Sequence, residues 1–396
     1  MANLLHRPPM PRRKRNTLRV PESHTLYLCP EGCGRRHALR AFREGADGET
    51  SFYILDDTDI IAATHQEDIA RIVEELLGTL PTRPRVLTLY FHCIDDLLGI
   101  DDDALLAELT HSIPDIRFLI AHVNPIDDRK HDMQGGIYSL LERTDARDGS
   151  VNIVGRFNDL PPTSEFATAL RSWGVRRIRN IALVTTYDEY AALSDSSLNV
   201  VTTWMGEKPA QRMERELGIP AVGFGPSYDI DNIVDHYRTL AAALGVPFVL
   251  DDGLVQRARR AVDRALDEVG DTPLVVDSLA SFTPFALAEA LLGYGFRVEA
   301  VLALHTKSDE SAARDRIGGR YPQVALLGSA TAVSAHAAEA DRSGLLAIGN
   351  DGRALFRTER WLDMFHDEGC FGLDGVVQLM DGLVQAHRTG TAGIGR

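Results

Sequence analysis

The strongest constraint on this chain is a rhythm. From residue 25 onward, short apolar runs rich in β-branched residues alternate with longer amphipathic stretches. Strands are expected at Thr25–Leu28, Phe52–Leu55, Val86–Tyr90, Arg117–His122, Asn152–Val154, Asn180–Val184, Asn199–Thr202, Ala221–Phe224, Leu274–Val276, Val298–Leu304, Val324–Leu327 and Leu345–Ile348. Helices are expected between them, most clearly at Gln66–Leu77, Asp103–His111, Glu165–Ser172, Lys208–Leu217, Ile230–Leu244, Leu254–Glu268, Phe282–Leu292 and Asp374–Ala386. Parallel strands need helical crossovers, so this alternation builds parallel sheets covered by helices on both faces. Twelve such strands are too many for one compact doubly wound sheet. Asn158-Asp159-Leu160-Pro161-Pro162 and Gly270-Asp271-Thr272-Pro273 read as breaks. The expected fold is α/β, in three parallel-sheet domains at 25–158, 159–270 and 271–386. A basic flexible tail at 1–24 and a C-terminal tail at 387–396 flank them.

Charge and composition then remove whole classes of function. The 57 acidic and 42 basic side chains give a net charge of −15, which opposes broad nucleic-acid binding. The one basic stretch is the start, with Arg7, Arg12, Arg13, Lys14, Arg15 and Arg19. No run is long and apolar enough for a membrane helix. Pro8, Pro9 and Pro11 stand where a signal peptide needs an apolar core. Four cysteines do not make a disulfide scaffold, so a reducing, cytoplasmic setting is expected. There is no GxxxxGK[ST] loop for ATP phosphates and no GxGxxG after a strand for a dinucleotide.

Three of the four cysteines fall in the first domain, each close behind a strand. Cys29 and Cys33 lie in Leu28-Cys29-Pro30-Glu31-Gly32-Cys33-Gly34, which reads as a tight turn before a helix opened by Arg35 and Arg36. Cys93 follows Val86–Tyr90 in Phe91-His92-Cys93. Carboxyl ends of strands are where α/β sheets take ligands, and the three thiols meet there if the two strands are neighbours. Soft thiolates select zinc or iron–sulfur clusters, and three are one short of the usual four. A buried cysteine filling apolar space is the alternative reading at each position.

At this point the residues resemble a known family. Glu31-Gly32-Cys33-Gly34 looks like the Gly-Cys turn of the nitrogenase component 1 family. Cys93 with Leu97-Leu98-Gly99-Ile100-Asp101-Asp102 resembles its second-strand cysteine and the stretch that follows. Asp56-Asp57-Thr58-Asp59-Ile60-Ile61 stands at its acidic stretch before a helix, and Val151-Asn152-Ile153-Val154-Gly155 resembles the strand closing its first domain. Leu198-Asn199-Val200, Gly218-Ile219-Pro220 and Phe371-Gly372-Leu373-Asp374-Gly375 match later segments in the same order, so the resemblance runs from about residue 25 to 386.

The resemblance implies three Rossmann-like domains, and pairing with a homologous component 1 subunit as a homo- or heterodimer that often doubles. It implies an iron–sulfur cluster, of [4Fe-4S] type, at the subunit interface. Cys33 and Cys93 become its ligands; the family often has a further upstream cysteine, and Cys29 either takes its place or is a neighbour that does not ligate. Electrons would come from an ATP-hydrolysing iron protein, which accounts for the missing phosphate loop. The function implied is that of a nitrogenase-like oxidoreductase subunit, reducing a small-molecule substrate such as a tetrapyrrole in an interdomain cavity. A scaffold for iron–sulfur or metal cofactor assembly would use the same cysteines, and a cluster-free binding protein would use none.

Nitrogenase holds its active-site cluster with one Cys and one His. The matching positions here are Thr202 or Thr203 and Phe371, which cannot ligate, so dinitrogen reduction on a molybdenum–iron cofactor is not expected. Cys370, next to Phe371, is a buried small residue or a displaced ligand. His92 and His122, at strand ends, are proton-donor candidates or satisfied structural histidines. Asp101, Asp102 and Asp103 read as capping and dipole compensation for a helix.

Overall fold

A computed structural model of the chain describes residues 19–62, 66–123, 135–155, 160–304, 310–339 and 344–394. Most of the basic tail, Met133-Gln134, Asn158-Asp159 and Lys307 lie outside the described residues. Among the described residues all strand pairings are parallel, in three sheets.

The first sheet holds β1 (Ser23–Pro30), β2 (Thr50–Leu55), β3 (Val86–His92) and β4 (Arg117–Val123) in the order β2-β1-β3-β4. Between them run α1 (Glu31–Glu44), α2 (Asp57–Ala62), α3 (Ile69–Thr79), α4 (Cys93–Leu98) and α5 (Asp102–Ser112). Leu26, Leu28, Leu87, Leu89 and Phe118 pack with Ile69, Val73, Leu105 and Leu109 of α3 and α5. A short α6 (Gly135–Tyr138) leads to the second sheet.

That sheet holds β5 (Val151–Val154), β6 (Ile178–Asn180), β7 (Leu198–Val201) and β8 (Ala221–Gly223) in the order β6-β5-β7-β8. Its helices are α7 (Glu165–Ser172), α8 (Tyr187–Ala191), α9 (Glu207–Leu217), α10 (Ile230–Ala243) and α11 (Asp252–Val269). The third sheet runs β11-β10-β9-β12-β13-β14. Its strands are β9 (Leu274–Asp277), β10 (Val298–Leu302), β11 (Ala325–Leu327), β12 (Leu346–Ile348), β13 (Arg360–Asp363) and β14 (Thr391–Gly393). The helices are α12 (Pro284–Tyr294), α13 (Ser311–Arg320), α14 (Ala330–Glu339), α15 (Asn350–Phe356) and α16 (Gly372–Thr389). One apolar core runs through the second and third sheets, joining Ile153 and Phe166 to Leu274 and Leu379.

Several expected boundaries move. Val151–Gly155, which reads as the end of the first domain, supplies β5, a central strand of the second sheet paired with β6 and β7. The expected C-terminal tail holds the last turn of α16 and then β14, paired with β13 through Trp361↔Thr391. Asn180–Val184 is strand only to Asn180, where the Asn180 side chain takes the Ala182 amide and turns the chain.

Each sheet has one place where consecutive crossovers leave in opposite directions: between β1 and β3, between β5 and β7, and between β9 and β12. The carboxyl ends of strands flanking such a point form the crevice where open α/β sheets take ligands.

Candidate metal centre

The first crevice carries the cysteines. β1 and β3 are hydrogen-bonded neighbours, in register from Ser23↔Val86 to Tyr27↔Tyr90. The helices that follow them therefore begin side by side. α1 starts at Glu31, one residue after Pro30, so Cys33 sits in its first turn instead of in a preceding turn. Cys93 is the first residue of α4. Both are half-buried, at the starts of two helices that follow adjacent strands.

Cys29 is different. It belongs to β1 and is fully buried. A Cβ on Gly34 would stand 3.0 Å from its sulfur, so α1 rests directly on this thiol through a glycine. Burial first, then Cys33 and Asp95, push the Cys29 thiol up to about 11. It is a neutral thiol at pH 7.

Histidines and a carboxylate lie on the elements that carry the thiols and on the strand beside them. His92 is 5% exposed and ends β3; its amide donates to Asp95 Oδ2 at 2.9 Å in a capping box that opens α4. His37, one turn beyond Cys33 on α1, stacks on Tyr27 at 4.4 Å and meets the His92 ring edge-on at 5.1 Å. Burial, then His92, Arg36 and Arg40, pull His37 down to about 4. His122 lies on β4, its Nδ1 2.8 Å from Asp96 Oδ1 and its Nε2 2.8 Å from Asp102 Oδ2. Those carboxylates belong to α4 and α5, so His122 ties both helix starts to β4. Asp101 caps α5 by accepting the Ala104 amide at 3.0 Å, and Asp102 and Asp103 fill its first turn, in agreement with the sequence.

Sequence reasoning missed His37, and read Asp95 only as part of an acidic run with Asp96 and Asp101–Asp103 before a helix. Their signals were present: Cys33 and His37 are four apart, which places them on one face of a helix, and Asp95 is three residues past the cap.

The other two crevices are filled by the protein itself. At the second, Gly155 has φ +96°, and a Cβ there would stand 2.7 Å from Thr203 Oγ1. The Thr202 hydroxyl donates to Val154 O at 3.2 Å and the Thr203 hydroxyl to Gly155 O. Phe371 packs edge-on to Phe166 at 5.1 Å and against Phe224 at 5.2 Å. At the third, the fully buried Asp277 carboxylate accepts the amides of Leu279, Ala280 and Gly352 at 2.8–2.9 Å. A Cβ on Gly349 would run into it. Cys370 lies in this third unit, 2% exposed, its backbone pressed against Gly375 of α16. An open cleft of ≈ 580 Å³ lined by Leu266, Thr272, Arg360 and His387 borders the amino ends of β9 and β13, opposite the ligand-binding side.

No curated protein sequence matches this chain. A family model described as nitrogenase component 1 type oxidoreductase matches residues 14–386. The chain belongs to that family. Among solved structures, "Nitrogenase Cp1 at pH 6.5" aligns with a TM-score of 0.72 and 14% identity, covering 98% of this chain and 95% of that one. "Nitrogenase Cp1 at pH 5" aligns with a TM-score of 0.62 and 13% identity, covering 93% and 85%. At such identities these likenesses show the fold: three parallel sheets flanked by helices, as in nitrogenase component 1.

Family members bind metal–sulfur clusters, and homologues form oligomers and work with iron-protein partners. Against such a cluster, the donor set fits only in part. Among the described residues, no three of His, Cys, Asp and Glu stand close enough to hold a metal ion within one chain. Two half-buried thiols at adjacent helix starts suit one side of a centre completed by another chain. No described helix is long and apolar enough to cross a membrane.

Proposed function

We propose that this chain is a subunit of a nitrogenase-like reductase, and that Cys33 and Cys93 hold an iron–sulfur cluster shared with a second component 1 type chain. The carrying observation is the pair of half-buried thiols that open α1 and α4 at the crevice between adjacent strands. Two thiolates from each of two chains make the four that a [4Fe-4S] cluster uses. Cys29 adds a third thiolate only by giving up the proton that burial holds on it. The surroundings suit pairing. Leu39 and Phe42 on α1, Ile54 on β2, Ile61 on α2 and Leu97 on α4 are exposed apolar side chains on the elements that carry or flank the cysteines.

When bound, such a cluster supplies low-potential electron transfer. In this reading the electrons come from an ATP-dependent iron protein and pass to a small organic substrate, a tetrapyrrole being the class we favour, between the domains of the assembly. The chain's own residues orient the site. Gly34 lets α1 close on β1, Asp95 fixes the start of α4, and His122 braces α4 and α5. Thr202, Thr203 and Phe371 are consumed by backbone hydrogen bonds and aromatic packing, which argues against a nitrogenase-type active-site cofactor in this chain.

A second reading has one observation of its own. The region beside Phe371 is filled by Phe166, Phe224 and Tyr237, all buried, which suits a scaffold that holds a cluster and passes it on without reducing a substrate.

Anaerobically purified protein should contain iron and acid-labile sulfide, about four of each per pair of chains, and show a reduced-cluster EPR signal with dithionite. Absence of iron, even after co-expression with a candidate partner chain, would sink the proposal. A cluster that transfers intact to an apo-acceptor, with no substrate reduced in the presence of an iron protein, would select the scaffold.

A further inference from the structure

Among the described residues, one buried ring nitrogen of His92 has no bonding partner. Its residue is 5% exposed, and Nε2 has no partner among the described residues. A buried donor left unmade keeps its full desolvation penalty, so such a group usually has a partner in the working protein. The capping box places the other side of the ring against the Asp95 amide. A ring nitrogen that accepts an N–H carries no proton, which leaves the proton on Nε2. His92 is also held firmly. Its amide is tied to Asp95 Oδ2 at 2.9 Å and its ring abuts His37 at 5.1 Å. It directly precedes Cys93, at the end of the sheet where Cys33 also lies.

We infer that His92 Nε2–H donates a hydrogen bond to sulfur of the cluster held at Cys33 and Cys93, and that this bond sets the cluster's reduction potential. The inference rests on the cluster reading above. Reduction adds negative charge to cluster and thiolate sulfur. A fixed N–H donor stabilises the reduced form more than the oxidised form and raises the potential. His92 is in this role a positioning and tuning residue; it takes no part in bond breaking.

The test is an EPR-monitored redox titration of the holoprotein as wild type, His92→Phe and His92→Gln. Phenylalanine keeps a ring and removes the donor; glutamine returns an N–H. His92→Phe should keep its iron, with the reduced-to-oxidised ratio at the wild-type midpoint falling about tenfold, which is 59 mV for one electron. His92→Gln should recover most of that loss. If His92→Phe does not hold iron, the wild type still decides. Proton ENDOR of its reduced cluster should show a strong coupling that exchanges in D2O, and His92→Gln, which restores an N–H, should retain one. An unchanged midpoint in His92→Phe, or no exchangeable coupling in wild type, overturns the inference while leaving the cluster in place. Wild type without iron overturns both.

Discussion

A methyl group at position 372 has nowhere to go. Gly372 opens α16 with φ +63°, and a Cβ there would run into Glu165 Oε1, with Tyr237 Oη 3.2 Å away. Gly372→Ala therefore meets both the left-handed backbone cost and a collision with a buried carboxylate, and should lose roughly 2–4 kcal/mol of stability in a urea titration. Gly78, near the end of α3, has open space around its Cα. Gly78→Ala should be neutral or gain up to about 1 kcal/mol, because alanine restricts the unfolded chain and favours helix. Equal effects of the two changes would refute the steric account. The Gly-Leu-Asp-Gly segment was visible in the sequence as a motif; its reason was not. It is set by Glu165, more than two hundred residues away in the chain.

Between elements, the same carboxylate joins α7 to α16. Glu165 accepts the Leu373 amide, the Asp374 amide at 3.1 Å and the Tyr237 hydroxyl at 3.0 Å, while its own amide donates to Asp374 Oδ2 at 3.0 Å. Burial is the main reason its carboxyl is pushed up from about 4.5 to about 7, opposed by these hydrogen bonds. The native state thus keeps a proton that the unfolded chain gives up near pH 4.5. The stability this group contributes is full below that pH and is lost as pH rises through about 7. In urea titrations, wild type minus Glu165→Gln should be most positive near pH 5 and shrink toward pH 8. A gap independent of pH would mean that Glu165 stays ionised throughout. Helices such as α11 and α16 were legible because their apolar faces repeat at helical period over 18 residues each. Strands β13 and β14 were not. Arg360–Asp363 is four residues with charges at both ends, and Thr391–Gly393 ends in glycine. Pairing with a neighbour makes them strands; their own side chains do not. The start of α1 was misread for a related reason. Pro30, Gly32 and Gly34 look like turn residues, yet Pro30 serves as the cap and Gly34 is the contact with Cys29.

At the scale of the whole molecule, the three sheets offer three crevices of the same kind, and the chain leaves one to thiols. The second is occupied by Thr202, Thr203 and Gly155, the third by Asp277. Sequence could place Cys33 and Cys93 behind strands, and alternation could say that the strands are parallel. It could not say that β1 and β3 adjoin, since strand order depends on which way each crossover turns. Adjacency is what separates these two cysteines from Cys370, which also stands before a helix but is 2% exposed in the packed third unit. Iron content should therefore follow position in the fold, and cysteine count should not matter. Cys33→Ser and Cys93→Ser, alone or together, should lose most of their iron and acid-labile sulfide, because a hydroxyl is a poor ligand for a soft metal centre. Cys370→Ser, provided it folds as judged by circular dichroism, should retain wild-type iron. If cluster loading depends on two chains, the Cys33→Ser subunit mixed with wild type should give hybrid assemblies of intermediate iron content, measured after separation by a tag on one chain. Iron lost only in Cys370→Ser would move the metal centre to the third unit and overturn the assignment to the first crevice.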